Sequence, residues 1–336
     1  MEFAELDDDQ RRRLVDVRQV FQAWRATDVE FRHSYRGTMR WRRISGTDYL
    51  YRISGKVERS LGPRSATTEQ IKADYTDQRT RLKRRLTTLD GRLKKMAAMN
   101  RAARLGRVPE TAARILRRLD AEGLAGRHLF VVGTHALFAY EAASGVVFES
   151  GLTATGDIDL LWDVRRRLSL ALVDARAEGV LGLLKKVDRS FEARRNSFRA
   201  INDEGYYVDL IRPLDKDEPR FAIAGIGDAD DDLQAAALAG LDWLINAPKF
   251  EQTVMGVDGR PLWMSCIDPR AFALHKYWVS KRDERDPLKR RRDFAQAKAV
   301  AAVATQYLGL SFKAKELSAL PSELVQAATL LLDDDD

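Results

Sequence analysis

Apolar residues recur at helical spacing from near the start of the chain. Leu14, Val17, Phe21 and Trp24 fall on one stripe of QRRRLVDVRQVFQAWRATDVE (10–30), which predicts an amphipathic helix. The period then changes to two. In TMRWRRISGTDYLYRIS (38–54), Met39, Trp41 and Arg43 alternate before a Ser45-Gly46-Thr47-Asp48 turn, and Tyr49, Tyr51 and Ile53 alternate after it, so a hairpin is expected. SLGPRS (60–65) reads as a break, and Thr67 with Gln70 reads as a capping box opening a long helix to about Leu105. Leu82, Leu86, Leu89, Leu93 and Met96 form a short heptad seam on it, suited to packing within the chain. Pro109 fits the first turn of another helix, which carries Ile115, Leu116 and Leu119 and stops at Gly123.

From His128 the pattern becomes short apolar runs. HLFVV (128–132) reads as a buried strand, Gly133-Thr134 as a tight turn and HALFAYEAA (135–143) as a helix. TATGDIDLLWD (153–163) reads as a strand with Asp157 and Asp159 on one side and Ile158 and Leu160 on the other. FRAINDEGYYVDLIRP (198–213) reads as a hairpin around 202–205, with Tyr207, Asp209 and Ile211 sharing a face of its second strand. An acidic linker is expected at 228–232, a helix at 233–247, a hairpin around Asp258-Gly259, and a helix starting at Ile267-Asp268-Pro269. These elements predict an α+β (mixed α/β) fold in three parts. They are a basic N-terminal domain over 1–125 with long helices and the β-hairpin, a core over 126–232, and a mainly helical C-terminal domain over 233–336.

Charge sharpens this division. The 336 residues carry a net charge of +7, yet residues 1–127 hold 30 Lys and Arg against 17 Asp and Glu, leaving 27 against 33 for the rest. Such segregation points to a polyanionic partner on the N-terminal part, although an Arg-rich solvated surface has the same composition. Arg40, Arg42, Arg43 and Arg52 interleave with Trp41, Tyr49 and Tyr51, a mixture able to stack bases and neutralise phosphates, or simply to form a sheet with an aromatic inner face. The single cysteine, Cys266, excludes an internal disulfide framework, and the four histidines show no paired-ligand spacing, so any metal must be held by oxygen. His135 and His275 read as structural or substrate-edge residues. No apolar run approaches the ~18 residues of a membrane span, and the acidic start is unlike a secretory leader, so a cytoplasmic protein without membrane association is expected.

The candidate chemistry lies between 133 and 209. A strand, a glycine turn and a helix start present free backbone N–H groups where a triphosphate can sit, with the Thr134 hydroxyl beside them. Neither the Walker loop nor the dinucleotide glycine fingerprint is present. Asp157 and Asp159, about 7 Å apart along a strand, repel each other unless a cation such as Mg²⁺ lies between them. Asp209 is a charge within an apolar run, and its other reading is an ion pair with Arg212 or another arginine.

In this order, VVGTHALFAYEA, TGDIDLLWD and YYVDLIRP resemble the DNA polymerase β-like nucleotidyltransferase superfamily. The nearest look is to stand-alone bacterial members akin to the toxin-type and abortive-infection nucleotidyltransferases. The resemblance covers about 128–213 and extends toward 310. It departs in the 22 residues between Thr134 and Asp157, where 144–155 reads as an insertion or lid. The resemblance implies a mixed sheet with flanking helices and two Mg²⁺ ions, or Mn²⁺, held by Asp157, Asp159 and Asp209. Asp209 would also help to deprotonate the acceptor hydroxyl. Gly133 and Thr134 would bind the β- and γ-phosphates, and Lys276, ahead of a basic helix pair over 281–297, would reach the triphosphate. The implied reaction moves an NMP from an NTP, such as ATP, to an acceptor hydroxyl. The basic N-terminal region makes RNA such as tRNA the favoured acceptor. A protein or small-molecule acceptor, an inactive nucleotide- or nucleic-acid-binding module, and a neutralising partner protein of the toxin–antitoxin kind are the other readings.

Overall fold

The computed structural model describes residues 3–55, 57–165, 173–214, 223–225 and 232–332. The expected acidic linker at 228–231 and the terminal Asp run at 333–336 lie outside the described residues. After β1 (Phe3–Glu5), the first apolar stripe forms α1 (Asp8–Ser34), with Leu14, Val17, Val20 and Phe21 buried and the Trp24 ring stacked on Phe21. Asp8 and Asp9 in its first turn and Arg32 in its last complement the helix dipole.

The chain divides into two compact units. One comprises Arg12–Ala103 with Gly259–Pro261, and the other comprises Met1–Arg11, Arg104–Asp258 and Leu262–Asp336. In the first, β2 (Thr38–Ile44), β3 (Thr47–Ser54) and β4 (Val57–Pro63) form an antiparallel sheet in that order, and α2 (Ala66–Ala102) follows. Two expectations are corrected. The Gly-Pro segment ends a third strand rather than breaking the chain, with Pro63 at the strand terminus, where its missing N–H is tolerated. The capping box is Ser65 with Thr68, not Thr67 with Gln70: Ser65 Oγ accepts from the Thr68 N–H at 3.3 Å, and Thr68 Oγ1 accepts from the Ser65 N–H at 2.9 Å. Of the predicted seam, Leu82 and Leu93 are buried with Ala97, while Leu86, Leu89 and Met96 are half-buried.

In the second unit, α3 (Glu110–Ala121) buries Ile115, Leu116 and Leu119. The chain continues through β5 (Leu129–Val132), a 3₁₀ turn over Gly133–Ala136, α4 (Leu137–Ser144), β6 (Val146–Phe148), α5 (Ser150–Thr153) and β7 (Asp157–Trp162). Then come α6 (Val173–Val187), β8 (Glu192–Ala193), β9 (Arg199–Ile201), β10 (Tyr207–Pro213), β11 (Ile223–Gly225), β12 (Gln234–Leu238) and α7 (Leu241–Asn246). The hairpin β13 (Lys249–Met255) and β14 (Pro261–Ile267) leads into α8 (Pro269–Ser280) and α9 (Pro287–Gln306).

The fold is mixed α/β, with helices flanking a mixed sheet of order β11-β12-β10-β7-β5-β14-β13, to which β9 adds on β10 and β8 on β9. β7 and β12 run parallel to β10, and β14 runs parallel to β5, whereas β5 and β7 are antiparallel. The core lies where Phe130, Ile158, Leu160, Val208, Leu210 and Phe272 are all at most 1% exposed.

Here too some elements differ from expectation. Residues 234–238 are a strand, not the start of a helix, because QAAAL sits beside β10 with Ala236 opposite Ile211, and its small side chains fit a crowded sheet interior. Asp232 is buried and accepts from the Leu181 N–H at 2.8 Å, so it belongs to the packed fold and not to a linker. Within 144–155, β6 pairs antiparallel with β1 and α5 forms one helical turn. Among the described residues no helix is long and apolar enough to cross a membrane.

Candidate active site

Strand alternation and sheet register assemble the acids. Ile158 and Leu160 fill the core, so Asp157 and Asp159 emerge on the opposite face of β7. β10 lies parallel to β7 with Tyr207 opposite Asp157 and Asp209 opposite Asp159. Residues opposed in a parallel ladder share a face, with strands about 4.8 Å apart, so the Asp159 and Asp209 side chains are neighbours. Gly133 closes the group from β5, at φ +65°. A Cβ at this position would lie 2.1 Å from Asp159 Oδ2, so only glycine lets the turn lie against the carboxylate.

The three acids differ in their partners. Asp157 accepts a short hydrogen bond from the Thr155 hydroxyl. Asp209, buried, has both oxygens taken by Arg199, with Nε to Oδ1 at 2.6 Å and Nη2 to Oδ2 at 2.5 Å. Burial and the neighbouring charges of Asp157 and Asp209 push Asp159 up to about 7, which Lys276 and Arg285 only partly offset. Charge on Asp159 is therefore incompletely compensated by the protein. Among the described residues no group of three or more His, Cys, Asp or Glu is arranged to hold a metal ion. Asp157 and Asp159 nevertheless fit one hard divalent cation, as an oxygen-only pair on one strand face with excess negative charge. Arg199 already occupies one acceptor site on each Asp209 oxygen and sets a positive charge beside it, which opposes sharing of such an ion by Asp209.

Gly133 and Asp159 border a cavity of about 490 Å³, which Lys276 and Arg285 also line, while Phe272 and Trp278 contribute an apolar wall. Lys276 is buried on α8, and its Nζ donates to Asp293 Oδ1 at 2.7 Å. Burial draws its ammonium below the ordinary lysine value, against the pull of Asp293 and Asp159. Arg285 Nε donates to the other Asp293 oxygen at 2.8 Å, so one fully buried carboxylate of α9 holds two cavity cations. Burial opposes ionisation of Asp293, but Lys276 and Arg285 outweigh it and keep the carboxyl below its usual range.

Thr134 is buried, and its hydroxyl accepts from Gln296 Nε2 at 3.3 Å. The same amide donates to the Leu152 carbonyl at 2.6 Å, tying α9 to α5 behind the glycine turn. His135, held at about 4 by burial, pairs its Nε2 with the Tyr206 hydroxyl at 3.2 Å, and burial together with the adjacent Lys276 holds His275 at about 3. Both rings are therefore neutral near pH 7.

A family model described as nucleotidyltransferase matches residues 110–321. The chain belongs to this family. The matched span runs from α3 past α9 and contains Gly133, the three acids and Lys276. It also contains Arg199, Arg285, Asp293 and Gln296, the site neighbours of this nucleotidyltransferase that pattern reading does not single out. No curated protein and no solved structure matches the chain.

Proposed function

We propose that this nucleotidyltransferase has the polymerase β-like core and acts in the cytoplasm as a stand-alone enzyme akin to the toxin-type and abortive-infection members. In this reading it moves an NMP from an NTP to an acceptor hydroxyl with release of pyrophosphate. The observation that carries the proposal is the register of β10 against β7, which sets Asp209 beside Asp159, the acid that packs against the Gly133 turn. Asp157 and Asp159 would hold Mg²⁺ or Mn²⁺, whose chemistry is to neutralise charge on the triphosphate and its leaving group. The turn N–H groups orient the phosphates, as backbone donors at a helix start do. Lys276 and Arg285, fixed by Asp293, supply positive charge on the cavity wall, while Phe272 and Trp278 exclude water from the apolar end. RNA such as tRNA is the acceptor we favour, carried by the basic N-terminal region.

The test incubates the full chain with NTPs labelled at the α-phosphate, Mg²⁺ and either RNA or protein, and follows both the label and pyrophosphate. Label should enter RNA, and Asp157→Asn or Asp159→Asn should each reduce transfer by about 10²- to 10³-fold, the usual cost of losing one stabilising group at a reaction centre. Label on protein instead would redirect the acceptor. A second reading draws support from the Arg199–Asp209 pair, which leaves the third acid engaged within the protein. It is a regulatory module that binds NTP without chemistry, and NTP binding with no pyrophosphate from any acceptor would select it.

A further inference from the structure

The pairing of Arg199 with Asp209 is built into the sheet. β9 and β10 are antiparallel, with Arg199 directly opposite Asp209, so the two side chains project from the same face as cross-strand neighbours. The guanidinium meets both carboxylate oxygens in the two-pronged geometry that makes arginine–carboxylate pairs strong and directional. It also lies 4.8 Å from the centre of the Tyr207 ring, and Tyr207 is opposite Asp157. Aromatic contact and bidentate pairing together hold one positive charge at the third acid. Across the ladder, Asp157 and Asp159 have no such guanidinium among their described hydrogen bonds.

Resting on the metal-dependent reading above, we propose that Arg199 takes the place of a second metal ion. The free protein then holds one divalent cation, at Asp157 and Asp159, while the arginine serves as the fixed cation of Asp209. A divalent ion drawn to Asp209 would face the guanidinium at close range, and like-charge repulsion would discourage both from staying. Arg199 is thus the residue that sets metal stoichiometry. Its side chain is 44% exposed, but removing it strands the buried Asp209 carboxylate, so thermal melting accompanies each variant.

Titration of the full chain with Mn²⁺, followed by electron paramagnetic resonance and calorimetry without nucleotide, tests this. The wild type should bind one ion, and Asp159→Asn should weaken that site by about 100-fold or more, since loss of even an outer-shell partner costs about 10- to 100-fold. Asp209→Asn should leave the site nearly unchanged. Arg199→Ala should admit a second ion, and Arg199→Lys, which keeps the charge, should restore binding of one. Two ions in the wild type, or loss of the single ion in Asp209→Asn, would overturn the assignment while leaving metal-dependent transfer standing. An unchanged single ion in Arg199→Ala, with thermal melting like the wild type, would remove the role of Arg199. No ion bound to the wild type would overturn the metal reading and this inference with it.

Discussion

Asp159 shows how far a single residue can be read from the chain alone. Alternation with Ile158 and Leu160 places its carboxylate off the core, and this is legible in DIDLL. Its surroundings are not legible, because they depend on register and helix packing: Asp209 comes from a strand 50 residues later, and the nearest cavity cations come from α8 and the loop before α9. Those surroundings give Asp159 a pH signature. Its folded value of about 7 lies above the ordinary 3.8, so the folded protein binds this proton more tightly than the unfolded chain does. The resulting stabilisation is complete below 3.8 and is lost as pH rises through about 7. Denaturant unfolding with a chelator present, between about pH 5 and pH 8, should therefore show the wild type losing stability relative to Asp159→Asn. Parallel pH profiles for the two proteins would refute the shift. Arg199 and Asp293 escape a sequence reading for the same reason, since an arginine in SFRAI or an aspartate in RRRDF looks like a solvated charge until its partner is in place.

At the scale of elements, strands with alternating or branched residues were legible and alanine-rich ones were not. The hairpin β2–β3, β5, β7 and the β9–β10 hairpin all lie where the pattern puts them, whereas β12 is QAAAL, whose alanines favour a helix until the neighbouring β10 claims them. The join between α4 and β6 rests on a buried acid that periodicity alone does not explain. Glu141 accepts from Arg107 at 3.0 Å on each of its oxygens and from the Phe148 N–H at 2.8 Å, while burial still raises its carboxyl above the usual range. Removing the arginine leaves a buried carboxylate with a single backbone donor. Arg107→Ala should thus lower unfolding free energy by about 3 kcal/mol, measured by urea denaturation, and Glu141→Gln should partly recover that loss in the double variant. A loss no greater than that of an exposed ion pair would show that water already compensates the acid.

For the whole molecule, positive charge is concentrated in one of the two compact units. The compact unit made largely of Arg12–Ala103 holds 23 Lys and Arg against 9 Asp and Glu over that segment, while the rest of the chain is net acidic. If this unit carries the RNA acceptor, binding releases condensed counterions, and affinity should fall by about 10²-fold or more between 50 and 200 mM salt, with the steepness counting the phosphates neutralised. Fluorescence anisotropy with a labelled tRNA reads this directly, and affinity independent of salt would remove nucleic acid as the partner.

The strand order also sets when the molecule can be completed. β5, which ends at the glycine turn, has β7 on one side and β14 on the other, and β14 lies about 130 residues further along the chain. During synthesis, one edge of the strand that leads into the glycine turn stays open until residue 267 has left the ribosome. A nascent chain halted before that point would display an unsatisfied hydrophobic edge, and a cell making this protein has reason to shield it.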